Sequence, residues 1–182
     1  NAERIFENRL INSSIQYGFA ENFTLSARYS NFIDSQQVKD NDPDHFDTEN
    51  NEGDLNLNWN VNSKNNLLAG VTYLKSDFKS NDVKDKKQSI DSTGYYVQHQ
   101  YKTDKLNTQL GVRTEDNELF GTHTIGQGAV RYHVLPETSI YANIGSAFKA
   151  PSLTELYYFS EKSYGNTYGN PDLKPEESIS YE

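Results

Sequence analysis

No cysteine occurs in the 182 residues, so neither a disulfide framework nor a thiolate metal site can be built. No apolar run approaches the roughly 20 residues that a helix needs to cross a bilayer. The opening Asn1-Ala2-Glu3-Arg4 is neither basic nor followed by an apolar stretch, so it is not a secretory signal peptide. For an exported protein, the start of translation is then expected upstream. Apolar residues are scarce, at 34% with a mean hydropathy of −0.86, below what a soluble globule usually carries. Basic residues are outnumbered, 17 Lys and Arg against 26 Asp and Glu, for a net charge of −9. A nucleic-acid partner is excluded, because phosphate binding needs clustered Lys and Arg. The nearest basic run, Lys84, Lys86 and Lys87, sits among Asp82, Asp85 and Asp91 and reads as a solvated loop.

So polar a chain invites the reading of disorder. The 13 Tyr, 9 Phe and 1 Trp are too many for a solvated coil. Their arrangement has period two. Leu55, Leu57, Trp59 and Val61 alternate with Asn56, Asn58, Asn60 and Asn62. The same pattern recurs around Ile11–Phe19, Leu25–Tyr29, Leu67–Tyr73, Tyr95–Tyr101, Leu106–Val112, Val130–Val134 and Ile140–Ile144, and it begins again at Ile179 and Tyr181. Each stretch spans roughly 9–11 residues, enough for a tilted strand to cross a bilayer. Short turns are expected at 20–22, 63–65, 103–105 and 135–138, and long loops at about 35–53, 76–91, 114–123 and 149–175. One helical turn is expected at Ser152–Leu156, with Ser152 as N-cap and Glu155 at the capping-box position.

The expected fold is all-β: an antiparallel up-and-down meander of about nine strands, an incomplete part of a transmembrane barrel. Side-chain parity puts Trp59, Val71, Tyr132 and Ile144 on the convex face, and Asn58, Arg113 and Arg131 on the concave one. An antiparallel sheet with one hydrated face also occurs in soluble proteins. The aromatics beside the short turns, Tyr17, Phe19, Phe23 and Tyr101, suit a membrane–water interface instead. Single-chain bacterial barrels use an even strand number, and lipid does not tolerate open sheet edges, so further strands are expected.

Two segments resemble the TonB-dependent receptor family within its barrel: Phe148-Lys149-Ala150-Pro151-Ser152-Leu153-Thr154-Glu155-Leu156-Tyr157, and Gly169-Asn170-Pro171-Asp172-Leu173-Lys174-Pro175-Glu176 running on to Tyr181-Glu182. A weaker likeness covers Gly111-Val112-Arg113 with Phe120-Gly121 and Thr124. The resemblance implies a barrel of about 22 strands in a Gram-negative outer membrane, in contact with lipid and lipopolysaccharide. It further implies a plug domain, outside these residues, through which the TonB complex drives uptake of a large nutrient. The compact run from Phe148 to Glu176 looks most like vitamin B12 transporters, with ferric-siderophore receptors the alternative. Haem receptors of the family place a histidine between the two motifs; residues 152–169 contain none.

Candidate site residues follow. Phe148, Pro151, Asn170, Pro171, Leu173, Pro175 and Glu176 read as scaffold of the family's long loop: proline fixes φ, and Asn170 supplies a turn. Tyr157, Tyr158, Phe159, Tyr164 and Tyr168 suit stacking on a large, partly planar ligand, or packing of loop on loop. Arg28, Arg113 and Arg131 face the lumen by parity, either to meet plug carboxylates or an anionic ligand or to close wall salt bridges. Asp40, Asp42, Asp44 and Asp47 could gather Ca²⁺ through oxygen ligands, or form a solvated acidic loop. His45, His99, His123 and His133 form no metal-spaced pair, and no nucleophile–base set is apparent, so no enzyme is expected. An adhesin barrel without transport, a soluble polysaccharide-binding β-domain and a hydrolase barrel are the rivals.

Overall fold

The computed structural model describes residues 3–39, 44–80, 87–162 and 165–182, with the backbone alone at 44, 87 and 159–162. One antiparallel sheet of nine strands follows chain order. It comprises β1 (Glu3–Ala20), β2 (Phe23–Lys39), β3 (Asp44–Asn60), β4 (Asn65–Ser80), β5 (Lys87–Lys102), β6 (Leu106–Asn117), β7 (Gly121–Leu135), β8 (Thr138–Lys149) and, last, β11 (Glu176–Tyr181). Between β8 and β11 lie the helix α1 (Leu153–Tyr157) and a hairpin of β9 (Phe159–Lys162) and β10 (Gly165–Tyr168).

Register fixes which residues share a face. One row runs Phe23–Trp59–Leu67–His99–Leu110–Gly128–Ile144–Tyr181, each residue paired directly with the next. The adjacent row, on the opposite face, runs Thr24–Asn58–Leu68–Gln98–Gly111–Gln127–Gly145–Ser180. Val71 and Tyr132 fall on the first face, and Arg28, Arg113 and Arg131 on the second, as parity requires. The second face is concave: residues of β1, β2, β3 and β5 line one groove on it.

Nothing covers the first face among the described residues. Ile15, Leu110, Ile140 and Ile144 are 69%, 58%, 66% and 58% exposed. A soluble sandwich would bury them under a second sheet, and among the described residues the remaining sheet is the β9–β10 hairpin. Leu67, Ala69, Val71 and Tyr73 form an apolar band on β4 about 20 Å long along the strand. Phe19, Phe23 and Trp59 stack in series beside the turn after β1, with ring centroids 5.5 and 5.4 Å apart. Tyr29, Tyr73 and Tyr95 mark the other border of the band, and the Tyr29 hydroxyl donates to Asn51 Oδ1 at 2.7 Å.

The short turns lie where expected, and two are closed by side chains. Asn62 Oδ1 accepts from the N–H groups of Lys64 and Asn65, each at 2.9 Å. Thr103 Oγ1 accepts from Leu106 N–H and donates to Leu106 O, both at 2.9 Å. The other connections differ from expectation. β1 to β5 run 16–18 residues rather than the expected length, and strand replaces most of the loops expected at 35–53 and 76–91. β6 and β7 likewise reach into 114–123. Beyond the greasy band apolar residues such as Phe46, Phe78 and Ile90 are isolated among polar ones, so apolar alternation vanishes although backbone pairing continues. Polar cross-strand pairs carry it: Asn31 donates to Glu49 Oε1 at 3.0 Å, Ser35 to Asp47 at 2.6 Å and Ser92 to Glu115 at 2.6 Å. Residues 44–54 of the acidic segment are therefore strand, not loop.

In a receptor containing these strands, Leu110→Arg should cost about 2–4 kcal/mol in lipid and Gln109→Arg little, because only Leu110 lies on the greasy face. Unfolding of both variants in vesicles measures this. Equal costs would contradict the assignment of faces.

Candidate functional site

The concave face is a wall of amides. Gln109 donates to Gln98 Oε1 at 3.2 Å and Asn66 to Asn60 Oδ1 at 2.8 Å, while Asn56 donates to Asp54 Oδ1 at 2.7 Å. Some bonds skip a whole strand: Gln127 of β7 donates to Gln98 of β5 at 3.5 Å across Gly111. Tyr96 on β5 reaches Asp54 on β3 at 3.0 Å, and Arg113 on β6 reaches Thr72 on β4 at 2.7 Å. Each passes over a glycine of the intervening strand. A Cβ on Gly70 would lie 2.5 Å from the Tyr96 hydroxyl, and one on Gly94 would collide with the Arg113 guanidinium. These glycines let long side chains lie flat against the wall.

Of Arg28, Arg113 and Arg131, the three expected to face the lumen, two are ion-paired. Arg28 meets Glu52 at 3.0 Å, and Arg113 meets Glu115 at 3.1 Å. Arg131 lies over the Tyr141 ring, its guanidinium carbon 5.9 Å from the centroid.

At the far end of the sheet from the short turns, the segment after β8 folds onto the concave face. Ser152 caps α1: Glu155 N–H donates to Ser152 Oγ at 3.2 Å, and Ser152 N–H donates to Glu155 Oε2 at 2.8 Å. The capping box is the expected one. It orients Leu153 and Leu156 so that they bury, 7% and 2% exposed, against Phe78 of β4 and Ile90 of β5. Phe46, Phe120 and Tyr157 complete this small core.

The second family motif clasps the first. Asn170 N–H donates to Glu155 O at 2.9 Å, and Gly169 N–H to Tyr158 O at 2.5 Å. A Cβ on Gly169 would stand 2.6 Å from Leu156 C and 2.7 Å from Tyr157 N, so only glycine fits. Asn170 Oδ1 accepts from Asp172 N–H at 3.0 Å, setting the turn at Pro171. Leu173 follows, its N–H donating to Asn170 O at 3.3 Å, and past Pro175 the chain re-enters the sheet where Glu176 pairs with Lys149. Phe148 stacks on His123, centroids 4.0 Å apart. His123 Nε2 lies 3.0 Å from Phe120 O, and Nδ1 lies 3.4 Å from Glu177. Pro151 is half-buried at the loop's exit from β8.

The three loop aromatics whose side chains are described have different surroundings. Tyr157 packs on the core beneath α1, Tyr158 sits against Phe46 at 5.7 Å, and Tyr168 is 54% exposed. The Phe159 side chain and Tyr164 lie outside the described residues, as do Asp40, Asp42 and the side chain of Asp44. Asp47 accepts from Ser35 and meets His45 Nε2 at 2.8 Å. Burial pushes its carboxyl up, but these partners and Lys79 together hold it below the ordinary aspartate value. Among the described residues no three His, Cys, Asp or Glu side chains are grouped to hold a metal ion.

Gly169→Ala should unfasten the clasp at a cost of about 1–3 kcal/mol. Faster amide exchange across 150–175, with the rest of the sheet unchanged, would show it; an unchanged loop would contradict it. The Ser152 backbone N–H, then its hydroxyl, hold Glu155 below the ordinary glutamate value. Its folded pKa is thus depressed, so the cap is fully stabilised above the unfolded value and weakens as pH falls through the folded one. Protection of the α1 amides, corrected for intrinsic exchange at each pH, should fall on acidification, and less so in Glu155→Gln.

A model of the TonB dependent receptor-like beta-barrel matches residues 2–182. The vitamin B12 transporter BtuB of Photobacterium profundum is 32% identical over 116 residues, 64% of this chain and 18% of that protein. In structure the chain is similar to the siderophore receptor PirA of Pseudomonas aeruginosa, with a TM-score of 0.66 at 18% identity, covering 96% of this chain and 41% of that one. It is also similar to the copper transporter OprC, with a TM-score of 0.72 at 14% identity, covering 97% and 35%. At such identities the likeness is one of fold, and the chain spans less than half of either solved chain. Two-faced strands, a glycine-smoothed inner wall and a clasped loop thus coincide with a match along nearly the whole sequence: the chain belongs to the TonB-dependent receptor β-barrel family.

Proposed function

We propose that this chain is part of the barrel wall of a TonB-dependent active transporter in a Gram-negative outer membrane, and that its substrate is cobalamin. The observation that supports transport is the pair of adjacent rows, one apolar and uncovered, the other amide-rich and concave. Such a wall separates hydrocarbon from a watery bore. An adhesin needs no such bore. The family match supports carriage as the role.

Cobalamin is favoured by the identity to a vitamin B12 transporter over 116 residues. Energy would come from the TonB complex acting on a plug domain, a part of the family's architecture outside this chain. Lipid and lipopolysaccharide would contact the outer face. Tyr157, Tyr158, Phe159, Tyr164 and Tyr168 would meet the ligand at the external mouth, and Ca²⁺ on the Asp40–Asp47 segment would order the strand ends there.

Direct binding of cyanocobalamin and of ferric siderophores to the full-length receptor, with calcium present and absent, tests this reading. Cyanocobalamin should bind, and its uptake by cells should stop when TonB is deleted. Binding of a ferric siderophore alone would replace the substrate. Uptake undiminished without TonB would overturn the transport mechanism.

A further inference from the structure

The inner wall has an unusual chemistry for a surface that must pass a large solute. A groove of about 740 Å³ on the concave face is lined by Arg28, Asp54, Asn56, Asn58, Asn60 and Tyr96, among others. Its charges are already engaged: Arg28 by Glu52, and Asp54 by Tyr96 and Asn56. Farther along, Arg113 is held by Glu115 and Thr72. Between these pairs run Asn56, Asn58, Asn60 and Asn66, then Gln98, Gln109 and Gln127.

A primary amide carries two donors and an acceptor with two lone pairs, and no charge. The bonds within the ladder use only part of that capacity. Asn58, for example, accepts from Asn66, and Gln98 accepts from both Gln109 and Gln127, the latter at 3.5 Å. A wall of this kind offers donors and acceptors at closely spaced heights, each bond modest because water competes. Passage requires contacts strong enough to admit a solute and weak enough to release it. In the groove along Asn56 to Asn60 the lining cation, Arg28, is already paired, so a multiply charged anion would lose hydration there without return, although Lys102 and Arg131 line the next groove beside Gln109. A neutral solute rimmed with amide or hydroxyl groups could exchange one amide bond for the next.

We propose that the Asn56–Asn58–Asn60 and Gln98–Gln109–Gln127 ladders form a transit surface on the barrel wall for a large, neutral, amide- or hydroxyl-rimmed solute. The proposal rests on the transport reading above and adds the surface and the chemical class. Glycines at 70 and 94 serve it by keeping Tyr96 and Arg113 flat against the wall and out of the path.

The test uses the full-length receptor in cells, with cyanocobalamin, a neutral corrinoid bearing primary amides, as the probe. Surface binding is read without energy, and uptake with it. In the double variant Asn58→Leu, Gln98→Leu, surface affinity should stay within about twofold while uptake slows by about fivefold or more, the loss expected for two modest hydrogen bonds. The amide-keeping variant Asn58→Gln, Gln98→Asn should retain most of the uptake. Unchanged uptake in the leucine variant would overturn the transit surface while leaving transport itself intact, since the wild type still imports. Equal loss in both variants would also overturn it, by showing that bulk rather than amide chemistry matters. A wild type that imports a ferric tris-catecholate, multiply anionic, and not cyanocobalamin would overturn both this proposal and the cobalamin reading.

Discussion

Successive side chains of a strand point to opposite sides, and a sheet whose backbone bonds are all made between strands can stand where no water is available. The rest of this structure depends on that pairing of constraints. The row from Phe23 to Tyr181 and the row from Thr24 to Ser180 differ by one residue along each strand, yet one is a belt for hydrocarbon and the other a lining for water. A slip of one residue in any pairing would put asparagine into lipid and leucine into the bore. The amide ladder and the aromatic stacks therefore hold the register as much as they use it.

Function is built on this wall by subtraction and by closure. Glycines 70 and 94 remove side chains where Tyr96 and Arg113 must cross. The result is a smooth, charge-paired surface rather than a set of projecting groups. Closure comes at the far end, where α1 seats two leucines on Phe78 and Ile90 and the Gly169-Asn170 backbone locks onto Glu155 and Tyr158. The buried apolar cluster among the described residues is that small one beneath the loop, so it is the loop, not the sheet, that is held by a water-driven core.

Much of this was legible in the residues themselves. Alternation at Leu55–Asn62 located the strands and their faces, because only half of each strand must be apolar in a barrel. Ser152 and Glu155 announced the helix cap through their spacing. The strand ends were not legible: beyond Tyr29 and Gly53 apolar residues such as Phe46, Phe78 and Ile90 stand alone among polar ones, and pairs such as Asn31–Glu49 leave no hydropathy signal. The four-residue strands β9 and β10 are too short to show a period. His123 carries no signal in the sequence, since its partners Phe148 and Glu177 come from β8 and β11 and are adjacent only after folding. Glycine at polar-parity positions in a strand was the available sign of the crossing side chains, and its meaning depends on which long residue lies one strand away.

The faces themselves are open to direct measurement. A nitroxide placed in turn at 55 to 61 on β3 of the membrane-inserted receptor reports collision with a lipid-soluble or a water-soluble relaxant. Contact with the lipid-soluble agent should peak at 55, 57, 59 and 61 and drop at 56, 58 and 60, with the water-soluble agent in opposite phase. A profile without that two-residue beat, or with its phase reversed, would contradict the account at its root.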